Sequence, residues 1–266
     1  VRKAILVVFL LLLFFPLYWM AVGSISSGAS MAKIPPSFFP AEPTAGTYRF
    51  LLSAPNLVLW IANTVILLCF GVSSSVVAAV AAGFALSVRP RGWRVVVGCL
   101  LTGLLVPRVA LTVPMFLEVT RIGLTGTLVG AAVPLLYFPS GVLLSMGYFR
   151  GIPKELFEEA VIAGATDIDV LRTIAIPNAG PVVGLLILFQ AVASTSDYLW
   201  QSLILRMEST FTYIVGILDT ATQAPVIVKN TQGMNCAAAI LIFLPFVLIY
   251  IFTARYFTQD PLKGLR

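Results

Sequence analysis

Apolar residues fall in long uncharged runs, separated by short stretches where charges and prolines collect. About 20 apolar residues cross the hydrocarbon core of a bilayer, and the chain offers six such runs: Ala4 to Val22, Asn56 to Val88, Val95 to Leu117, Gly123 to Phe149, Asn178 to Ser196 and Thr231 to Ala254. The pattern predicts an all-α integral membrane protein with about six transmembrane helices in one domain, residues 1–266. Pro107, Arg108 and Pro114 interrupt the third run. The first lies behind Arg2 and Lys3 and has a passable cleavage site at Ala21-Val22-Gly23, but it exceeds a signal-peptide core in length and is taken as a retained helix. Two segments between runs are long. Ser24 to Pro55, rich in Pro, Ser and Gly, predicts an irregular external loop; Phe211 to Leu218, within Trp200 to Asn230, is apolar but too short to span and predicts a re-entrant or interfacial helix.

Composition agrees. The chain is 59% hydrophobic and only 11% charged, with a mean hydropathy of +0.99, whereas a soluble domain carries about a quarter charged residues. With the N-terminus inside, the inner segments hold eleven Lys and Arg residues and the outer segments five, with Arg108 left in the membrane. That bias predicts cytoplasmic termini. It also accounts for the net charge of +6 without nucleic acid.

Several chemistries are excluded. The chain has no His, so no His-based triad or His metal ligand exists. Cys69, Cys99 and Cys236 sit singly in separate apolar runs, as small hydrophobes rather than a metal site or disulfide. None of the lysines follows a Gly, so the phosphate-cradling Gly-Lys pair is missing. No catalytic pair is visible, and energy for any pumping must come from a partner.

One stretch breaks the apolar pattern. Ile152 to Pro177 is charged and has the chemistry of two short helices and a bend. Pro153 suits a first helical position, and Glu155, Glu158 and Glu159 follow where the helix dipole favours them. Leu156, Ala160 and Ala163 recur on one face, widened by Phe157 and Val161. Gly164 can take the left-handed conformation that ends a helix, and Thr166 with Asp169 matches a capping box. By composition alone this is an ordinary helix on the membrane surface.

The order of residues resembles the EAA loop of ABC-importer permeases, specifically the carbohydrate-uptake branch related to the inner-membrane maltose permease. Glu158 takes the Glu position, Ala160 the second Ala, Gly164 the Gly and Pro177 the closing Pro. Glu159 replaces the first Ala, and Ala163 replaces an Asp common before the Gly; both bear on which ATPase is accepted. Weaker matches are Ile122 to Thr127, the Asp197-Tyr198-Leu199-Trp200 run and the closing Lys263-Gly264. The resemblance implies a non-catalytic permease subunit of a bacterial inner membrane, surrounded by lipid and working with a second permease, two ATPase subunits and an external binding protein. ATP and Mg would be held by the ATPase partners, with no cofactor on this chain. It implies that Glu155, Phe157, Glu158, Glu159, Ala160, Val161 and Gly164 couple this chain to the ATPase.

Polar groups within the membrane mark function or helix contacts. Asn63, Gln190, Ser194 and Asp197 are candidates for the substrate pathway, with Tyr198 and Trp200 as aromatic faces for a sugar beside the Asp197 carboxylate. The alternatives are interhelical hydrogen bonds for the neutral groups and an interfacial anchor for the Asp-Tyr-Trp trio. Arg108 cannot shed its charge. It needs either a structural partner such as Asp197, or substrate oxygens such as those of a phosphorylated compound, and its flanking prolines predict a bent helix there. A secondary transporter or channel is the competing function class, but it gives the EAA-like stretch no role and calls for more intramembrane charge.

Overall fold

The structure is a computed structural model and describes residues 2–27, 38–40, 43–88, 90–224 and 231–257. Regular structure among them is helical throughout. In chain order, α1 is Arg2–Ile25, α2 Gly46–Leu52, α3 Leu57–Ser87 with a π turn at Leu68–Val72, α4 Trp93–Leu105 and α5 Arg108–Arg121. There follow α6 Leu128–Leu136, α7 Pro139–Arg150 and α8 Lys154–Ile162. Asp167–Val170 continues through a π turn, Leu171–Ala175, into Ile176–Asn178, together α9. The chain then forms α10 Gly180–Ser196, α11 Tyr198–Ile204, α12 Tyr213–Thr222 and α13 Thr231–Phe257.

Among the described residues, three helices are long and apolar enough to cross a membrane: α1, α3 and the Gln232–Ile251 portion of α13. Three further candidate spans are bent pairs, α4 with α5 at 101°, α6 with α7 at 49° and α9 with α10 at 75°. The runs expected as the third and fourth spans are thus each two helices, and the fifth begins at Gly180 behind a bend. Prolines explain the breaks. Val106 is extended ahead of Pro107, as a residue before proline prefers. Phe138 is likewise non-helical ahead of Pro139, and Pro181 removes a donor at the start of α10. The predicted bend at Arg108 is therefore present. The expected external loop contains a short helix, α2, while Phe211 to Leu218 falls mostly within α12, ten residues long and too short to span.

The chain forms two compact units, Val1–Ala62 with Phe211–Val247, and Asn63–Thr210 with Leu248–Arg266. In the first, Leu51, Ile217, Met234 and Ala237 form the centre of a buried cluster. Gly216 is required there, because a Cβ would lie 2.2 Å from the Trp60 ring. Most of the apolar surface of α1, from Ile5 to Phe15, is exposed.

The second unit is built on the contact of α3 with α7. Gly83 lets the two backbones approach: a Cβ there would sit 2.3 Å from Ser145 Cβ and 2.8 Å from the Met146 nitrogen. Just beyond, Phe84 meets Phe149 edge to face at 5.6 Å, a favoured aromatic geometry. Replacing Gly83 with Ala should lower the stability of the purified protein by about 1–3 kcal/mol through overpacking. The same change at Gly98, where no atom lies within 4 Å of the added carbon, should cost nothing. Thermal inactivation midpoints of the two variants check this; equal midpoints would contradict the close packing.

Candidate functional site

The charged stretch folds as its residues dictate. α8 starts at Lys154, one residue later than Pro153 suggests, and carries Glu155 in its first turn. Its end is a Schellman closure: Gly164 has φ +79°, and the Ala165 amide donates to the Ala160 carbonyl at 3.0 Å. Thr166 then starts α9 with a reciprocal capping box. The Thr166 amide donates to Asp169 Oδ2 at 2.9 Å, and the Asp169 amide donates to Thr166 Oγ1 at 3.3 Å. Hydrogen bonds from the Thr166 hydroxyl and then its amide hold the exposed Asp169 carboxyl below the usual range.

The two faces of α8 differ. Phe157 and Ala160 are half-buried against the core of their own unit, with the Phe157 ring 6.5 Å from that of Phe84. Glu155, Glu158 and Glu159 are exposed, as is Gly164. Ile162 is 86% exposed, a position that the sequence reading, with its apolar contact on Phe157, Ala160 and Val161, does not single out. Its spacing, four residues after Glu158, was the available signal. The Val161 side chain and the closing Lys263-Gly264 lie outside the described residues.

A second feature lies at the broken helix α6–α7. A proline has no N–H, so it leaves the carbonyl four residues earlier without its helical donor. Pro134 does this to Gly130, and the Trp200 indole Nε1 donates to that carbonyl at 3.3 Å. The Leu135 carbonyl lies in the last turn of α6, where no helical donor follows, and Gln190 Nε2 donates there at 2.6 Å. The Pro134 carbonyl, at the C-terminal end of α6, accepts from Arg108 Nη2 at 3.4 Å. Three residues singled out for the substrate pathway thus bind backbone of one helix. Trp200 and Gln190 are 4% and 1% exposed, and the nitrogens that bind this backbone are engaged within the fold.

Arg108, Asp197 and Trp200 meet at a cavity of about 410 Å³, together with Val109, Leu111, Met115, Pro134, Tyr137 and Leu199 among others. Asn63, Gln190, Ser194 and Tyr198 are not in its lining. Asn63 instead donates to the Ser209 carbonyl at 3.0 Å, and the buried Ser194 accepts through its carbonyl from Gln201 Nε2 at 2.5 Å. Asp197 caps α11, accepting from the Trp200 amide at 3.2 Å. Among the described residues, Arg108 and Asp197 form no ion pair with each other or with another residue. Within this chain Asp197 is therefore not the ion-pair partner of Arg108, which is an exposed residue on the cavity lining.

The turn into α6 also has local causes. Gly123 and Gly126 both have positive φ, and Thr127 caps α6 by accepting from the Gly130 amide at 3.0 Å. Gly126 donates to the Ile204 carbonyl at 2.8 Å, which ties this turn to the end of α11. Gly130 is needed beside it, since a Cβ would fall 2.2 Å from the Leu124 carbonyl oxygen.

Comparison with known proteins bears on the family of the chain. Residues 74–261 match the family described as binding-protein-dependent transport system inner membrane component. The arabinooligosaccharides transport system permease protein AraQ of Bacillus subtilis is 23% identical over 258 residues, covering 96% of this chain and 90% of that protein. The galactooligosaccharides transport system permease protein GanQ of the same organism is 24% identical, covering 94% and 89%. Among solved structures, a chain of a bacterial ABC transporter that imports the acidic polysaccharide alginate is similar at a TM-score of 0.78 and 25% identity, covering 97% of this chain and 95% of that one. The chain belongs to the family of binding-protein-dependent transport system inner membrane components, the permease subunits of ABC importers.

Proposed function

We propose that the chain is one of two permease subunits in an importer for an oligosaccharide or related polyol, driven by ATPases docked on α8. The observation that carries this reading is the two-faced α8 helix. Its apolar side rests on Phe84 and the α3–α7 packing, while three carboxylates and Ile162 face outward. Glu155, Glu158 and Glu159 meet basic residues of the ATPase, and Ile162 supplies the apolar contact. Phe157 and Ala160 transmit the movement inward. Gly164 and the Thr166–Asp169 box hold the bend, so a push on α8 is delivered to α9 and α10 rather than absorbed by a loose loop. ATP and Mg are bound by the ATPase subunits. A second, different permease completes the pathway, and an external binding protein delivers the substrate. Substrate class follows the named relatives, which handle arabino- and galactooligosaccharides.

In this arrangement both termini and α8 face the cytoplasm. The whole chain, residues 1–266, acts as one permease domain in which the 152–177 stretch is the coupling loop. The exposed apolar surface of α1 faces lipid or the second permease.

Two measurements test the reading. Glu158→Lys should lower ATP-driven uptake at least about tenfold, a loss of roughly 1.4 kcal/mol of coupling, by releasing the ATPase or uncoupling its hydrolysis. Gly164→Glu should act likewise, because φ +79° strains any side chain there. Uptake and co-purification of the ATPase in the assembled complex are the readouts, and wild-type values in both variants would sink the docking role. For orientation, single cysteines in a background lacking Cys69, Cys99 and Cys236 should react with an impermeant maleimide in intact cells at Thr222. Those at Pro90 and Thr166 should be shielded. External labelling at Thr166 would remove α8 from the ATPase side.

A further inference from the structure

We propose that the Arg108 cavity is a substrate subsite that selects a saccharide carrying an acidic group, such as a uronate, with Arg108 as the residue that determines this specificity. The inference rests on the permease reading above and narrows its substrate class.

The argument begins with an uncompensated charge. A guanidinium has five donors in a planar fork and stays ionised. Among the described residues the Arg108 side chain makes a single hydrogen bond, the long one to the Pro134 carbonyl, and no ion pair. Most of its donors are therefore available to the cavity it lines. The surrounding wall is largely apolar, with Val109, Leu111, Met115 and Leu199, and such a wall strengthens electrostatic interactions by lowering the local dielectric constant.

A neutral sugar entering this space would exclude water and leave the guanidinium without a counter-charge, which is costly. A carboxylate meets the fork with charge-assisted, two-pronged bonds. Asp197, on the same lining, does not supply that charge to Arg108, and one of its oxygens is engaged by the Trp200 amide. Its other oxygen is suited to accept from sugar hydroxyls. A volume of about 410 Å³ is in the range of small-molecule pockets, which run from about 300 to 1,000 Å³, and admits one or two sugar rings. Tyr137, which is exposed, adds aromatic surface for the C–H face of a ring.

The test is equilibrium dialysis of radiolabelled disaccharides against the purified, assembled importer in neutral-lipid nanodiscs, without the binding protein and without ATP. Digalacturonate should bind at least about tenfold more tightly than the neutral galactose dimer, a gap expected of one charge-assisted contact. Arg108→Gln should erase the gap, and Arg108→Lys, which keeps the charge but loses the fork, should narrow it. Thermal inactivation midpoints near wild type would show that both variants remain folded. Equal binding of the acidic and neutral dimers by the wild type would overturn the proposal, as would a gap that survives Arg108→Gln. Preference for a glucosamine dimer would assign the cavity to Asp197 and also overturn it. Arg108-dependent retention of phosphatidylglycerol with no digalacturonate binding would assign a lipid headgroup instead. Failure of both Arg108 variants to assemble would make the residue a structural cap for Pro134. In each overturning case, ATP-driven uptake of a neutral oligosaccharide that Glu158→Lys abolishes would leave the permease reading standing.

Discussion

A carbonyl removed from water must find a donor, and the membrane-embedded part of this protein is arranged around carbonyls that have lost theirs. Pro134 deletes one rung of α6 and the end of α6 leaves the Leu135 carbonyl open, and the missing donors are replaced by the Trp200 indole and the Gln190 amide. An unsatisfied buried polar group costs about 1–3 kcal/mol, and a satisfied one is worth about 1 kcal/mol net. These hydrogen bonds make the break in α6–α7 tolerable and join it to α10 and α11. The Arg108 cavity forms beside that break, with Pro134 in its wall and Trp200 at its edge. Proline placement thus bears on where the helix opens, which distant donors must come to it, and where the cavity forms.

The same unit links this region to α8 through rigid contacts. Gly83 brings α3 and α7 together, and Phe84 then reaches both Phe149 and Phe157. The Tyr148 hydroxyl donates to the Asn178 carbonyl, left open where α9 bends into α10. Close-packed side chains of this kind transmit displacement because they cannot be compressed independently. A helix that is apolar inward and acidic outward is therefore suited to receive a push from a partner and pass it to the spans. The Schellman closure at Gly164 and the capping box at Thr166 keep the bend between α8 and α9 from yielding.

Much of the charged stretch from Ile152 to Pro177 was legible in the sequence because its determinants are local. Gly164, Thr166 and Asp169 act within a few residues of one another, and each takes the conformation or bond its chemistry favours. The bend at Arg108 was legible for the same reason, since Pro107 acts on its immediate neighbours. The facing of α8 was not: Phe157 and Ile162 are both apolar, and only the position of Phe84 decides that one packs inward while the other is exposed. Nor were the roles of Gln190 and Trp200, whose bonds span 55 and 70 residues of chain. The prolines did carry part of that information, because Pro134 names the carbonyl it orphans and Pro139 follows the break that frees another. What they cannot name is the donor, which depends on how the helices pack.

The most direct test of this account is a double-mutant cycle between Pro134 and Trp200, read as the unfolding free energy of the purified protein. Trp200→Phe keeps most of the ring but removes the N–H, so in the wild-type background it should cost about 1–3 kcal/mol. In the Pro134→Ala background the residue at 134 has its own N–H for the Gly130 carbonyl, and the cost of losing the indole donor should fall by at least about 1 kcal/mol. The cycle cancels any loss of ring packing, which is common to both backgrounds. A coupling of that size is the predicted result. An equal cost of Trp200→Phe in both backgrounds would contradict the claim that the indole replaces the bond the proline removes.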